Sequence, residues 1–127
     1  MINNKWIDVE PKMLRKWVSE LIDSGKFRVL STMTGYQDGD KIYVIYHFFT
    51  TEGSVNVRVP TTLADPKIPS ITPILVGAVL YEREIQDLLG LKFEDIIDGR
   101  RMILPDHWPQ GVYPLRKDYI PSKELLK

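Results

Sequence analysis

Cysteine is absent from this sequence of 127 residues, and only two histidines occur, His47 and His107. The absence of cysteine excludes disulfides, thiol nucleophiles and cysteine-ligated zinc or iron–sulfur clusters on this chain. The two histidines are far apart in the sequence and show no metal-ligand spacing such as His-x-His. We therefore expect the chain to bind no metal ion.

Net charge and long apolar runs are also lacking. The 17 basic and 17 acidic residues cancel to a formal net charge of zero, whereas a sequence-independent nucleic-acid binder needs an excess of positive charge. The most apolar run, from Ile74 to Leu80, is far shorter than the about 20 residues that a membrane-spanning helix needs. We expect neither nucleic-acid binding nor a direct membrane span, so any membrane association would come through a partner.

What the sequence does contain is typical of one globular domain. Hydrophobic residues make up 43% and charged residues 27% of the chain, and a chain of this length buries about two-thirds of its unfolded surface on folding. One apolar stripe with helical spacing predicts a helix over about residues 10–24. Alternating apolar residues and the Asp38-Gly39 turn signal then predict an antiparallel meander. Its three strands are expected at 27–34, 41–50 and 54–59.

The second strand of this meander is apolar in both of its alternating phases. Such a strand is either central in its sheet, or its outer face is covered by a partner. A proline-bracketed loop is expected over about 60–70, and a second helix from Thr72 to just before Gly90.

The remaining chain predicts a short strand over Arg101–Leu104 and, from Pro105 onward, an extended proline-rich tail. The predicted fold class is therefore α+β, a two-layer domain. It consists of an N-terminal helix, an antiparallel sheet of three to four strands, and a second helix that carries the motif Glu-Arg-Glu. We expect this domain to span residues 1–104, and residues 105–127 to form a tail that docks on a partner subunit.

Two groups of residues could carry chemistry. His107 lies beside Asp106 in a loop and could act as a base, but no nucleophile or third ligand accompanies it. The segment YEREIQDLLG gathers three acidic residues around Arg83 near the end of the second helix. Such a group is either a solvated helix end or a docking surface, since arginine favours bidentate pairing at interfaces.

The segments YEREIQDLLGLKF and RRMILPDHWPQGVYPLRKDY resemble the C-subunit family of proton-pumping NADH:quinone oxidoreductase, respiratory complex I. The family pattern Glu-Arg-Glu, two residues, an acid, two apolar residues and Gly matches Glu82 through Gly90. The basic pair and the closing Pro-Leu-Arg-Lys-Asp-Tyr element are also present. Between Phe93 and Arg100, however, the family's Gly-His-Pro step is replaced by EDIIDG, and Tyr113 stands where histidine is usual.

The run LPDHWP before YPLRKD looks more like the equivalent small subunit of membrane-bound, energy-converting nickel–iron hydrogenases and formate hydrogenlyases. The resemblance implies a subunit without cofactor or catalytic site. Its partners would be the large subunit and neighbouring iron–sulfur subunits, which would hold the nickel–iron centre and the iron–sulfur clusters. It also implies a hetero-oligomer at the cytoplasmic side of the cell membrane, bound peripherally through the complex.

Residues of the matching motifs are expected at a partner interface, where charged and aromatic side chains anchor contacts. They are Glu82, Arg83, Glu84, Asp87, Gly90, Arg100, Arg101, Trp108, Tyr113, Pro114, Leu115, Arg116, Lys117, Asp118 and Tyr119. Alternative interpretations are the C subunit of complex I, a free adaptor or assembly factor, and a small hydrolase that uses His107 and Asp106.

Overall fold

The computed structural model describes residues 3–97 and 113–117. The chain folds into two helices and a four-stranded sheet, which confirms the predicted α+β class. The elements of the sheet and its helices are β1 (Asn3–Asp8), α1 (Leu14–Asp23), β2 (Phe27–Asp38), β3 (Lys41–Thr50), β4 (Gly53–Thr62) and α2 (Val79–Leu89). A second, two-stranded sheet consists of β5 (Lys67–Pro69) and β6 (Lys92–Glu94), and 3-10 turns at Pro11–Met13 and Val76–Ala78 precede the helices.

The strand order in the main sheet is β1-β4-β3-β2. The meander β2-β3-β4 is antiparallel as predicted, with a tight turn at Gly39 between β2 and β3. The prediction omitted β1, which precedes the first helix and runs parallel to β4. The sheet is therefore mixed rather than wholly antiparallel. The prediction missed β1 because this strand is largely polar and pairs with a strand 50 residues later.

Two other predicted boundaries are wrong. The proline-bracketed segment 60–70 is not one loop, since β4 continues to Thr62 and β5 follows in parallel with β6. The second helix does not begin at Thr72. Leu75 has non-helical backbone angles, and Gly77, a poor helix former, lies in the 3-10 turn before α2.

The hydrophobic core lies between one face of the main sheet and the two helices. On β3 the inward side chains Ile42, Val44 and Tyr46 are 0% exposed. Helix α1 contributes Leu14 and Val18, which confirms the predicted apolar stripe, and Trp17 packs against Phe48 at a tilt, with 5.6 Å between ring centroids.

Helix α2 packs closely on β2 because the strand has a glycine at the point of contact. A Cβ atom at Gly35 would lie 2.6 Å from Leu89 Cδ1 and 3.3 Å from Ile85 Cγ2. A larger residue there would force the side chains of Leu89 and Ile85 to shift. Gly35 therefore allows the close approach between the sheet and the helix that carries the charged motif.

Candidate partner-docking site around the second helix

The four charged residues of the motif occupy different environments on α2. Glu82 is 0% and Asp87 is 8% exposed, Arg83 is half-buried and Glu84 is exposed. The three acids therefore do not form one surface cluster around Arg83. Of the acids, Glu84 is the one exposed on the surface of α2, while Glu82 lies on the buried face of the helix.

The carboxylate of Glu82 is held by the segment that precedes α2. Ser70 Oγ donates to Glu82 Oε1 at 2.5 Å, and the backbone N–H of Ile71 donates to Oε2 at 3.0 Å. Since the Ser70 proton points at Glu82, Thr72 must donate its own hydroxyl proton to Ser70 Oγ, at 2.6 Å. The Thr72 oxygen then accepts the N–H of Ile97 at 3.0 Å.

Burial governs the protonation of this carboxyl group. Removal from water raises the pKa of Glu82 to about 7, although the hydrogen bonds from Ser70 and Ile71 and the charge of Arg15 act in the opposite direction. The Tyr46 hydroxyl is also buried and has no hydrogen-bond partner among the described residues. Burial, and secondarily the charge of Glu82, raise the pKa of Tyr46.

Arg15 of α1 fastens the same region from the other side, which the sequence did not indicate. Its Nε donates to Ser70 O at 2.7 Å, and its Nη2 donates to Glu94 O at 2.9 Å. An ion pair with Asp95, at 3.4 Å, lies at the surface. Arg15 thus joins α1, the segment after β5 and the end of β6, and holds the loop that supports Glu82.

Helix α2 ends at Gly90, which the aromatic ring of Tyr113 covers. Gly90 has φ +72°, the left-handed conformation that glycine adopts at low cost, which confirms it as the residue that ends the helix. The aromatic ring of Tyr113 lies directly on Gly90, in the space that a Cβ atom would need. A side chain at position 90 would therefore both strain the backbone and displace the ring.

Residues 113–117 bind the same helix end through their backbone and through Arg116. The Arg116 Nε donates to Leu89 O at 2.6 Å, and its Cζ lies 4.8 Å from the centre of the Tyr113 ring. The N–H of Leu115 donates to Leu88 O at 2.8 Å. A cation that caps the free carbonyls of a helix end stabilises it. The predicted interface residues Tyr113, Pro114, Leu115, Arg116 and Lys117 thus belong to a segment that packs on its own domain, and their docking on a partner stays a prediction.

An open cleft of about 350 Å³ lies beside this helix end. It is lined by Gln86, Gly90, Leu91, Lys92, Phe93, Ile96 and Tyr113. Gln86 is fixed in the cleft because its Oε1 accepts the N–H of Phe93 at 2.9 Å. Residues 3–97 and 113–117 contain no group of three or more histidine or acidic side chains that could hold a metal ion. That the chain binds no cofactor stays a prediction.

The remaining predicted residues lie outside the described residues. They are Arg100, Arg101, Asp106, His107, Trp108, Asp118 and Tyr119. The short strand expected at Arg101–Leu104 and the domain boundary after residue 104 lie there as well. No helix in the described part of the chain is long and apolar enough to cross a membrane.

The sequence is similar to several named proteins. It is 41% identical over 80 residues to formate hydrogenlyase subunit 5 of Escherichia coli, a match that covers 60% of this chain and 14% of that protein. It is 33% identical over 125 residues to the C/D subunit of NADH-quinone oxidoreductase of Phocaeicola vulgatus, which covers 95% of this chain and 24% of the relative. The chain thus spans a quarter or less of the length of these two relatives.

Among solved structures, one from a membrane-bound sulfane sulfur reductase, an archaeal respiratory membrane complex, matches with a TM-score of 0.74 and 24% identity. That match covers 93% of this chain and 73% of the other, and at this identity it shows a shared fold. The family model described as the 30-kDa subunit of respiratory-chain NADH dehydrogenase matches residues 7–124. The match includes β2, β3, β4, both helices and the motif on α2, so the chain belongs to this family of respiratory-chain subunits.

Proposed function

We propose that this chain is a cofactor-free accessory subunit, without a catalytic site of its own, of a membrane-bound and ion-pumping redox complex. In this proposal it packs on the large subunit in the cytoplasmic, peripheral arm, and its partners hold it at the membrane. The large subunit and neighbouring iron–sulfur subunits carry the redox centres. The observation that carries the proposal is the family match over residues 7–124.

The choice of the large subunit as partner is supported by the relative from Phocaeicola vulgatus. Its name, with the double letter C/D, joins two subunits in one polypeptide, and this chain matches 24% of it. Two segments of one polypeptide have a high effective concentration for each other, which favours a contact between them. A separate chain with the same fold would then bind a D-type large subunit without the covalent link.

Within this class of complexes we favour an energy-converting nickel–iron hydrogenase, in which ferredoxin-linked hydrogen evolution drives ion pumping. The higher of the two identities, 41%, is to a formate hydrogenlyase subunit. The alternative is the C subunit of NADH:quinone oxidoreductase, since the C/D relative of that enzyme matches 95% of the chain. Nickel analysis of the purified complex separates the two, because a hydrogenase large subunit holds nickel and its complex I counterpart does not.

The geometry of α2 suits a role as a docking helix. Leu80, which is 50% exposed, and Glu84 lie one turn apart on its surface, with the half-buried Arg83 beside them. On such a helix face the apolar groups supply buried area, and the charged groups fix the position of the partner along the helix. The close contact with Gly35 and the hydrogen bonds of Glu82 both hold the buried face of the helix in place, so little ordering is required when a partner binds.

Replacement of Arg83 tests the proposal. We expect Arg83→Ala to lower the yield of the large subunit that co-purifies with a tagged chain by about tenfold, equivalent to about 1.4 kcal/mol. Arg83→Lys should restore the yield in part, since lysine keeps the charge but cannot pair in a bidentate manner. Hydrogen evolution or quinone reduction by the membranes should fall in parallel.

Arg28→Ala is the matched control. Arg28 is an exposed arginine on β2 whose Nη1 donates to the carbonyl of Phe27 at 3.3 Å. We expect this variant to assemble as the wild type does. If Arg83→Ala also assembles and turns over like the wild type, α2 is not the docking helix, and a chain that co-purifies with no other subunit would refute the accessory role altogether.

A further inference from the structure

The main sheet has one face that neither helix covers. Both helices pack on the opposite face, through Trp17 against Phe48 and through Leu89 against Gly35. The strand register places another set of side chains on the uncovered face, which we call the open sheet face. Its main residues are Trp6, Val29, Tyr43, His47, Phe49 and Arg58.

Large apolar side chains on this face are exposed to solvent. The exposed fractions are 60% for Trp6, 50% for Val29 and 38% for Phe49. Val29 and Phe49 are direct cross-strand neighbours on β2 and β3, so their exposed surfaces adjoin. Large exposed apolar patches on folded proteins mark interaction sites, and these side chains form the apolar part of such a face.

The polar side chains of the open sheet face satisfy one another. Asn56 Nδ2 donates to Asn4 Oδ1 at 2.6 Å and to the carbonyl of Lys5 at 3.2 Å, which leaves Asn56 Oδ1 to accept the Nδ1–H of His47 at 2.7 Å. His47 Nε2 then accepts the Thr34 hydroxyl proton at 3.0 Å. This line of hydrogen bonds crosses all four strands, so His47 serves to join them.

The charge on this face is also compensated within the chain. Arg58 Nε lies 2.7 Å from Asp8 Oδ1, and its guanidinium is 5.2 Å from the centre of the Tyr43 ring. Tyr43 in turn stacks on Tyr36, with 5.1 Å between centroids. A polar group that already has its partners costs less to cover than an unpaired one, which would cost about 1–3 kcal/mol, and a paired ion leaves no single charge stranded when it is covered. A partner on this face therefore needs to supply no opposite charge.

We propose that the open sheet face is a second docking surface, and that its occupant is an apolar, uncharged surface of another subunit of the same complex. The inference rests on the proposed function, because it places this chain between two neighbours, one at α2 and one on the opposite face. The four strands, of six to twelve residues each, cover roughly 600 Å². That is less than the about 800 Å² per partner of a stable interface between free proteins. A second copy of the chain is therefore disfavoured, while a neighbour that other contacts already hold in the complex needs less area.

The absence of cysteine allows a direct test. Single replacements Phe49→Cys and Trp6→Cys each introduce the one thiol of the chain, on the open sheet face. Met13→Cys is the matched control, because Met13 is 43% exposed and lies before α1 on the helix side. The rate of reaction with a maleimide is measured for the free chain and for the complex purified through a tag on this chain.

We expect the complex to react about tenfold more slowly than the free chain at positions 49 and 6, because interface cores exclude water and solutes, and equally fast at position 13. If the Phe49→Cys protein does not accumulate, the rate of maleimide reaction is measured for Val29→Cys on the same face instead. Equal rates at positions 6 and 49 in an assembled complex would overturn this inference but leave the proposed function intact. Protection that appears in the free chain and grows with its concentration would overturn it in favour of a second copy. Failure of the chain to co-purify with any other protein of the complex would refute both proposals.

Discussion

Replacement of Glu82 by glutamine removes a buried charge while it keeps the shape of the side chain. The Gln oxygen can accept the N–H of Ile71, which Glu82 Oε2 accepts at 3.0 Å. Its amide can donate to Ser70 Oγ if the hydroxyl groups of Ser70 and Thr72 both turn and the donor order between them reverses. We therefore expect Glu82→Gln to fold, and its stability to depend on pH differently from that of the wild type.

The sign and size follow from the raised pKa. Glu82 has a pKa of about 7 in the folded chain against 4.5 as its ordinary value, so between these values the folded chain holds a proton that the unfolded chain has released. Its contribution to stability is complete below pH 4.5 and is lost as the pH rises through 7. At about 1.4 kcal/mol for each pKa unit, the complete loss amounts to about 3.5 kcal/mol.

Urea denaturation at pH 5 and pH 8 measures the effect, with the tryptophan fluorescence of the chain, to which Trp17 beside the core contributes, as the signal. The free energy of unfolding of the wild type, relative to that of Glu82→Gln, should fall by about 2–3 kcal/mol over this interval. Glu84→Gln, which changes an exposed carboxylate on the same helix, should follow the wild type. If Glu82→Gln and the wild type lose the same stability between pH 5 and pH 8, Glu82 is not protonated in the folded chain and the burial argument is wrong.

Two further changes test other parts of the structure. Gly90→Ala should lose about 1 kcal/mol more stability than Gly25→Ala in thermal unfolding. Both glycines have positive φ, but only Gly90 has the Tyr113 ring in the space of a Cβ atom. Equal losses would show that the ring does not pack there. Asn56→Leu should lose about 1–3 kcal/mol, since it leaves the Nδ1–H of His47 without an acceptor, and the addition of His47→Leu should recover part of it. A double variant that is less stable than Asn56→Leu would contradict the hydrogen-bond line across the sheet.

The sequence predicted the parts of the fold that depend on local patterns. The meander follows from period-two alternation and a short turn, and the end of α2 follows from Gly90. The edge strand β1 was missed because its residues between Asn3 and Asp8 alternate only weakly and its partner is distant. Pairing of this kind leaves little trace in a single sequence.

The burial of Glu82 could have been found in part. Ala78, Glu82, Ile85 and Leu89 follow one another at helical spacing, so Glu82 occupies a core position of the stripe. Its neighbour Ser70, however, lies 12 residues away across a non-helical turn. Which hydroxyl meets a buried carboxylate depends on tertiary packing, and the charged motif around it pointed to the surface instead.

The parallel pairing of β1 with β4 also constrains the order in which the chain can fold. The strands β2, β3 and β4 can close by short turns, whereas Asn3 must meet Gly53, and contacts of such sequence separation form late and slowly. During synthesis β1 leaves the ribosome before β4 and has no partner until β4 has followed. Between the closure of the meander and the docking of β1, the edge of β4 is unpaired and the amide of Asn56 lacks Asn4. An exposed strand edge of this kind pairs readily with other chains, so the risk of aggregation is high until β1 joins the sheet.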